Sequence, residues 1–170
     1  MAEPGASPAL PHDRLVRVEL AGVVASGFSP LQERDRRQAV MDLQAGADRF
    51  QLVSARAAGV RGPFVLILSL HEGRLILDVR DEAETPLASF GLALGPFRRL
   101  IKDYQLLVDS YAKAVEEGRE QRIQAIDMGR RGLHNEGASL LMRRLEGKVA
   151  MEMETARRLF TLVCVLHQRI

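Results

Sequence analysis

Residues 127–137 read Asp-Met-Gly-Arg-Arg-Gly-Leu-His-Asn-Glu-Gly, which places five charged or titratable side chains and three glycines inside a stretch of otherwise helix-forming sequence. Arg130 and Arg131 carry planar forks of donors suited to a phosphate or carboxylate. His134 supplies an imidazole able to give or take a proton near neutrality. Asp127, Asn135 and Glu136 add acceptors within two helical turns. Together these residue types suit recognition of an anion, or acid/base work on a phosphorylated or carboxylate substrate with His134 as the proton carrier and the arginines as clamp.

Such chemistry needs the side chains on one surface, and a helical rotation of about 100° per residue divides them. Ile123, Ile126, Leu133, Gly137, Leu140 and Leu141 fall on one broad face, and Arg130 falls inside it. Asp127 and His134 lie within one turn on either side of Arg130, at i−3 and i+4, so all three can touch. Arg131, Asn135 and Glu136 project elsewhere. An arginine turned toward a core requires an anionic partner, because an unpaired buried charge is strongly unfavourable. That partner is Asp127, another carboxylate of the chain, or a bound anion. Asp127, Arg130 and His134 therefore form either a satisfied polar cluster between helices or part of a ligand site that includes Arg131, Asn135 and Glu136. Each glycine costs a helix roughly 1 kcal/mol relative to alanine, so three of them imply close packing against a neighbour or a break in the helix.

Established reaction templates do not fit. His134-Asn135-Glu136 has the H-x-E spacing of zinc deaminases, but that chemistry needs a C-x-x-C pair and the chain has only Cys164. The four histidines, His12, His71, His134 and His167, form no ligand pair on one helical face, so no metal is expected. No glycine pattern of a phosphate-binding or dinucleotide-binding loop is present, no cofactor is implied, and no serine sits on a nucleophile elbow. Gly129-Arg130-Arg131-Gly132 matches the G-x-x-G loop of KH domains, followed by a helix and a strand in the right order. Asn135 and Ala138 stand where KH helices carry apolar residues, which weakens RNA binding to an alternative. Arginine pairs recur at Arg98-Arg99, Arg143-Arg144 and Arg157-Arg158.

The elements that must hold this motif follow from local signals. Leu15, Val16, Val18 and Leu20 predict a strand. Ser29-Pro30-Leu31-Gln32 supplies a cap, a proline at the first helical position and a glutamine placed to reach back, so a helix runs from there to about Gln44. Phe50, Leu52 and Val53 suggest a short strand, and the Ala/Gly-rich residues 54–62 a loop. Residues 64–70, 75–79 and 87–94 read as an antiparallel meander, with the N-terminal strand alongside. After Pro96 the period changes to 3.6, and Phe97, Leu100, Ile101, Tyr104, Leu107, Val108, Tyr111 and Val115 make one stripe ending at Gly118. Residues 120–146 form a second helical region, 148–153 a weak strand, and 155–167 a helix apolar nearly all round.

Composition bounds the class. With 170 residues, 46% hydrophobic, one core is expected, and 24 basic against 22 acidic side chains leave a formal net charge of +2, too little for a generic nucleic-acid binder. The single cysteine permits no intrachain disulfide and suits a reducing cytoplasm. No apolar run approaches the length of a membrane span, and residues 1–8 lack the marks of an export signal. Residues 1–13, with three of the seven prolines, read as a disordered tail before a single domain over 14–170.

Three blocks together carry a family resemblance: residues 96–104, residues 125–137, and residues 155–162 with Cys164-Val165-Leu166-His167. The chain resembles the alphaproteobacterial Uncharacterised Protein Family 0262 over about residues 14–168. The resemblance implies a small cytoplasmic bacterial protein from a family with no established activity, cofactor or catalytic residues. The expectation is an α+β fold, with an antiparallel β-meander in the N-terminal half packed with one N-terminal helix and a three-helix C-terminal layer. Its function stays open: the leading reading is a binding or regulatory protein, not an enzyme, contacting a protein partner or a small anionic ligand through the Arg130/His134 region. An enzyme using His134 and KH-like RNA binding are the alternatives, and no membrane partner is expected.

Overall fold

The computed structural model describes residues 12–22, 28–46 and 48–167. Its elements run β1 (Leu15–Leu20), α1 (Pro30–Gln44), β2 (Phe50–Leu52), α2 (Val53–Ala57), β3 (Phe64–His71), β4 (Arg74–Arg80), β5 (Pro86–Ala93), α3 (Arg98–Glu116), α4 (Glu120–Arg144), β6 (Val149–Met151) and α5 (Met153–His167), with a single 3₁₀ turn over Gly95–Phe97 leading into α3. This is the expected α+β arrangement. Residues 1–11 of the expected tail lie outside the described residues; Asp13 is buried, accepts a bond from Gly62 N at 2.8 Å and pairs with Arg56 at 2.8 Å.

Local chemistry explains several boundaries. Ser29 caps α1 by accepting from Gln32 N at 3.2 Å, while Gln32 Oε1 accepts from Ser29 N at 2.8 Å, the reciprocal pair that fixes a helix start. The β3–β4 hairpin turns through Glu72 and Gly73, both at positive φ of 50° and 73°, the mirror-image turn whose twist matches its strands.

The main sheet has the order β1-β3-β4-β5. β3, β4 and β5 form the antiparallel meander, but β1 runs parallel to β3, with Val18 beside Leu66. The sheet is therefore mixed, because α1, β2 and α2 return the chain across the sheet before β3 begins. β2 and β6 pair separately. Part of the segment expected as a loop after Leu52 is instead the five-residue α2, tethered where Arg56 meets Asp13.

The core lies between the sheet and the helices. Leu66, Leu68, Leu75, Leu77, Val79 and Leu92 face α5, which is buried from Leu159 to Leu166 and packs against α1, α3, α4 and β3. Of the two causes expected for the α4 glycines, close packing or a break, the break does not occur, since the helix is continuous over 25 residues. The G-x-x-G segment consequently sits in a helix interior, and the loop between two helices that a KH domain requires is absent from this described region.

Candidate functional site

Three helices meet at one carboxylate. On α1, Leu31, Asp35, Ala39 and Leu43 recur every fourth residue and are all buried, so the helix that packs Leu31 and Leu43 necessarily drives Asp35 into the protein. On α4, Ile126, Leu133, Gly137 and Leu141 are buried, and Arg130 belongs to the same face with its side chain only 14% exposed. Arg130 Nη2 donates to Asp35 Oδ1 at 2.7 Å, and Tyr104 Oη on α3 donates to Asp35 Oδ2 at 2.9 Å. Asp127, the local partner expected for Arg130, sits farther away at 3.4 Å and is half exposed. The dominant counterion is thus Asp35, 95 residues away in the chain, and one carboxylate ties α1, α3 and α4.

A close helix contact sets the depth of this junction. A Cβ on Gly137 would stand 2.5 Å from three ring carbons of Phe160 on α5, a separation real side chains do not tolerate. Only glycine lets the two helices approach this far with the Phe160 ring in place. That ring stacks near Phe97 at 6.4 Å and meets His134 edge-on at 5.9 Å, and His134 lies 6.1 Å from the Tyr104 ring. The His134 Nε2 is 3.5 Å from Thr161 Oγ1, whose own proton goes to Arg157 O.

This setting decides the protonation of the titratable groups. Burial, followed by the positive charges of Arg130 and Arg157, lowers the His134 pKa to about 4. The imidazole is neutral at pH 7. Burial and then the charge on Asp35 hold the Tyr104 hydroxyl far above its ordinary range, so it remains a donor. Burial does the same to the Cys164 thiol, which is therefore an inert core group. Among the described residues, no group of three or more His, Cys, Asp or Glu side chains is placed to hold a metal ion, and no helix is long and apolar enough to cross a membrane.

The model of the Uncharacterised protein family (UPF0262) matches residues 12–169. The chain belongs to that family. It is 62% identical over 161 residues to a UPF0262 protein of Granulibacter bethesdensis, covering 92% of this chain and 91% of the relative. It is 58% identical to one of Acidiphilium cryptum (92% and 93% covered) and 48% identical to one of Maricaulis maris (92% and 95% covered). These relatives are likewise named only as members of UPF0262, and the family's function is unknown. No solved structure matches the chain.

Within this UPF0262 fold the six residues singled out from sequence separate. Arg130 and His134 lie on the inward side of α4, with Arg130 spoken for by Asp35, whereas Asp127, expected to face inward with them, is exposed and reaches Arg130 only from the edge of that face. Arg131, Asn135 and Glu136 are exposed. Of the six, Glu136 lines an open groove of about 430 Å³ between α3 and α4, together with Arg99, Asp103, Leu106, Leu107, Ser110, Gly129, Gly132 and Leu133. Arg99 pairs with Glu136 across the groove and lies 3.3 Å from Asp103 on its own helix. Sequence reasoning missed Asp35, although its spacing with Leu31, Ala39 and Leu43 marked it as inward. It also took Tyr104 simply as a core residue, whereas its ring is core and its hydroxyl completes the polar junction.

Proposed function

We propose that this member of UPF0262 is a cytoplasmic binding protein, regulatory rather than catalytic, that docks a helix of a partner protein along the α3/α4 groove. The observation that carries this reading is the pair Gly129 and Gly132. Both are exposed in the interior of α4, where glycine weakens a helix. Unlike Gly137, neither is demanded by the chain's own packing: a Cβ at Gly129 would make ordinary contact with Leu107 at 3.7 Å, and one at Gly132 would meet nothing within 4 Å. A bare backbone on a groove floor suits the close approach of another helix. Leu106, 55% exposed, and Met128, 74% exposed, supply apolar contact beside it, and Arg99, Asp103 and Glu136 a polar rim.

The inward cluster has a different role in this reading. Because Asp35 and Asp127 already face Arg130, that side chain supports the junction of helices rather than an anion site. A neutral, half-buried His134 shared between aromatic rings suits the same structural role and offers no support to acid/base chemistry.

A photo-crosslinking amino acid placed at Leu106 or at Gly132 in cells tests the proposal, with Met41 on the outer side of α1 as control. Discrete adducts with another protein from positions 106 and 132, absent from position 41 and abolished by Glu136→Arg, are the expected result. Folded variants that form no adduct from the groove, or form the same adducts from Met41, would overturn it.

A further inference from the structure

The main sheet ends on strands treated very differently. At the β1 edge, Val18 N donates to Gln44 Oε1 at 3.0 Å, and Arg17 and Glu19 stand as charges along the strand, which are ordinary means of closing an edge. β5 has eight residues, Pro-Leu-Ala-Ser-Phe-Gly-Leu-Ala, and carries no charge. Among the described elements it is bonded on one side only, to β4.

The register identifies which backbone groups are left over. Leu94 N donates to Gly73 O, and narrow pairs alternate along an antiparallel ladder. With Leu75 opposite Leu92, Leu77 opposite Phe90 and Val79 opposite Ala88, the even-numbered residues of β5 bond to β4. Ser89, Gly91 and Ala93 therefore turn their N–H and C=O outward, while Leu87 lies at the bulge between Val79 and Arg80. Ser89, Gly91 and Ala93 are exposed, and none of their backbone groups has a hydrogen bond to a described residue outside the strand. Gly91 is not required internally: a Cβ there would make ordinary contact with Ile76 at 3.7 Å. An interior strand glycine without such a need suits the close approach of another backbone. Pro86 does not spoil the edge, because it lies beyond the bulge at Val79/Arg80, at the start of the strand and outside the span from Leu87 to Ala93.

We propose that β5 pairs antiparallel with β5 of a second copy of this chain across a two-fold axis, joining two sheets into one of eight strands. The occupant is a second copy because the strand is complementary to itself. Centred on Phe90, the register sets Ser89 opposite the second copy's Gly91 and Gly91 opposite the second copy's Ser89, so these outward residues find bonded mates, and Ala93 comes opposite the second copy's Leu87 at the bulge. Phe90 meets its own counterpart in a wide pair on the helix-facing side, where its half-buried ring has room for an aromatic neighbour. Charge allows the pairing as well. Of the charged side chains on β4 that flank the strand, Asp78 and Arg80 pair with each other at 2.8 Å, and Arg74, whose Nη1 would lie 3.8 Å from a Cβ on Gly91, comes beside the second copy's uncharged Ser89. The surface is distinct from the α3/α4 groove, so either proposal can fail alone.

Sedimentation velocity over a broad concentration range tests the pairing, with the full chain as wild type, Ser89→Lys and Gly91→Pro. Wild type should shift toward a dimer as concentration rises, and both variants should remain monomeric with unchanged circular dichroism. Neither substitution removes a bond to β4. Mild oxidation of a Phe90→Cys variant adds the register: wide pairs bring Cα atoms to about 4.5 Å, within disulfide reach, and the buried Cys164 stays out of the reaction. A covalent dimer from Phe90→Cys is expected. A monomer at every concentration, or a dimer that survives Ser89→Lys and does not crosslink at position 90, would overturn the proposal, including in favour of an extended segment of another protein on this edge.

Discussion

Acidification should destabilise this protein through His134. In the unfolded chain a histidine titrates near 6.5, whereas burial beside Arg130 and Arg157 lowers His134 to about 4 in the fold. Between those values the unfolded state binds the proton more readily, so stability rises with pH and is lost as pH falls from 6.5 toward 4. At 1.36 kcal/mol per pH unit, the whole interval is worth about 3 kcal/mol, and about 2 kcal/mol is already lost at pH 5. That is a sizeable part of the 5–15 kcal/mol that holds a typical domain together. For a chain of this length it corresponds to a fall in melting temperature of about 4–8 °C. Urea unfolding of wild type and His134→Gln at pH 7.5, 6, 5 and 4.5 separates this contribution from the other acid-sensitive groups. The variant cannot take up the proton, so the difference between the two curves should shrink or reverse by about 2 kcal/mol between pH 7.5 and pH 5. In proton spectra the His134 ring should titrate near pH 4. A difference curve flat to within about 0.5 kcal/mol, or a ring titrating near 6.5, would refute the assignment of a buried neutral imidazole.

The glycines of α4 should respond in opposite directions. Gly137→Ala drives a methyl group into the Phe160 ring and should cost about 1–3 kcal/mol by overpacking. Gly132→Ala meets open space and should raise stability by up to about 1 kcal/mol through helix propensity; thermal unfolding reads both, and equal effects would contradict the distinction between them.

How much of this was legible in the sequence depends on how far each interaction reaches along the chain. The capping box at Ser29 and Gln32, the β3–β4 hairpin and the apolar stripe of α3 are set by neighbours within a few residues, and these elements fall where the pattern puts them. The α4 glycines left close packing and a break both open because their cause is not local: Gly137 answers to Phe160, 23 positions on, and packing is the outcome there. The parallel placement of β1 against β3 was unreadable for a similar reason, since no turn chemistry links strands separated by a helix. At the candidate site, the helical wheel correctly turned Arg130 inward and Arg131, Asn135 and Glu136 outward. It could not choose the counterion. Asp127 was near in sequence, yet the nearer carboxylate in space is Asp35, which its i+4 companions Leu31 and Ala39 carry into the core.

The central claim is that Arg130 is neutralised by the protein itself, and a double-mutant cycle on Asp35 and Arg130, read by chemical unfolding at pH 7.5, tests it most directly. Removing one partner of a buried pair leaves the other charge uncompensated and typically costs about 3–5 kcal/mol; the half-exposed Asp127 near Arg130 places Asp35→Asn toward the lower end, whereas Arg130→Met leaves the Asp35 carboxylate with the Tyr104 hydroxyl. The double variant should recover much of that loss, giving a coupling of about 2 kcal/mol. Additive losses with coupling below about 0.5 kcal/mol, or an Arg130→Met protein as stable as wild type, would contradict the account and return Arg130 to the role of a residue waiting for an external anion.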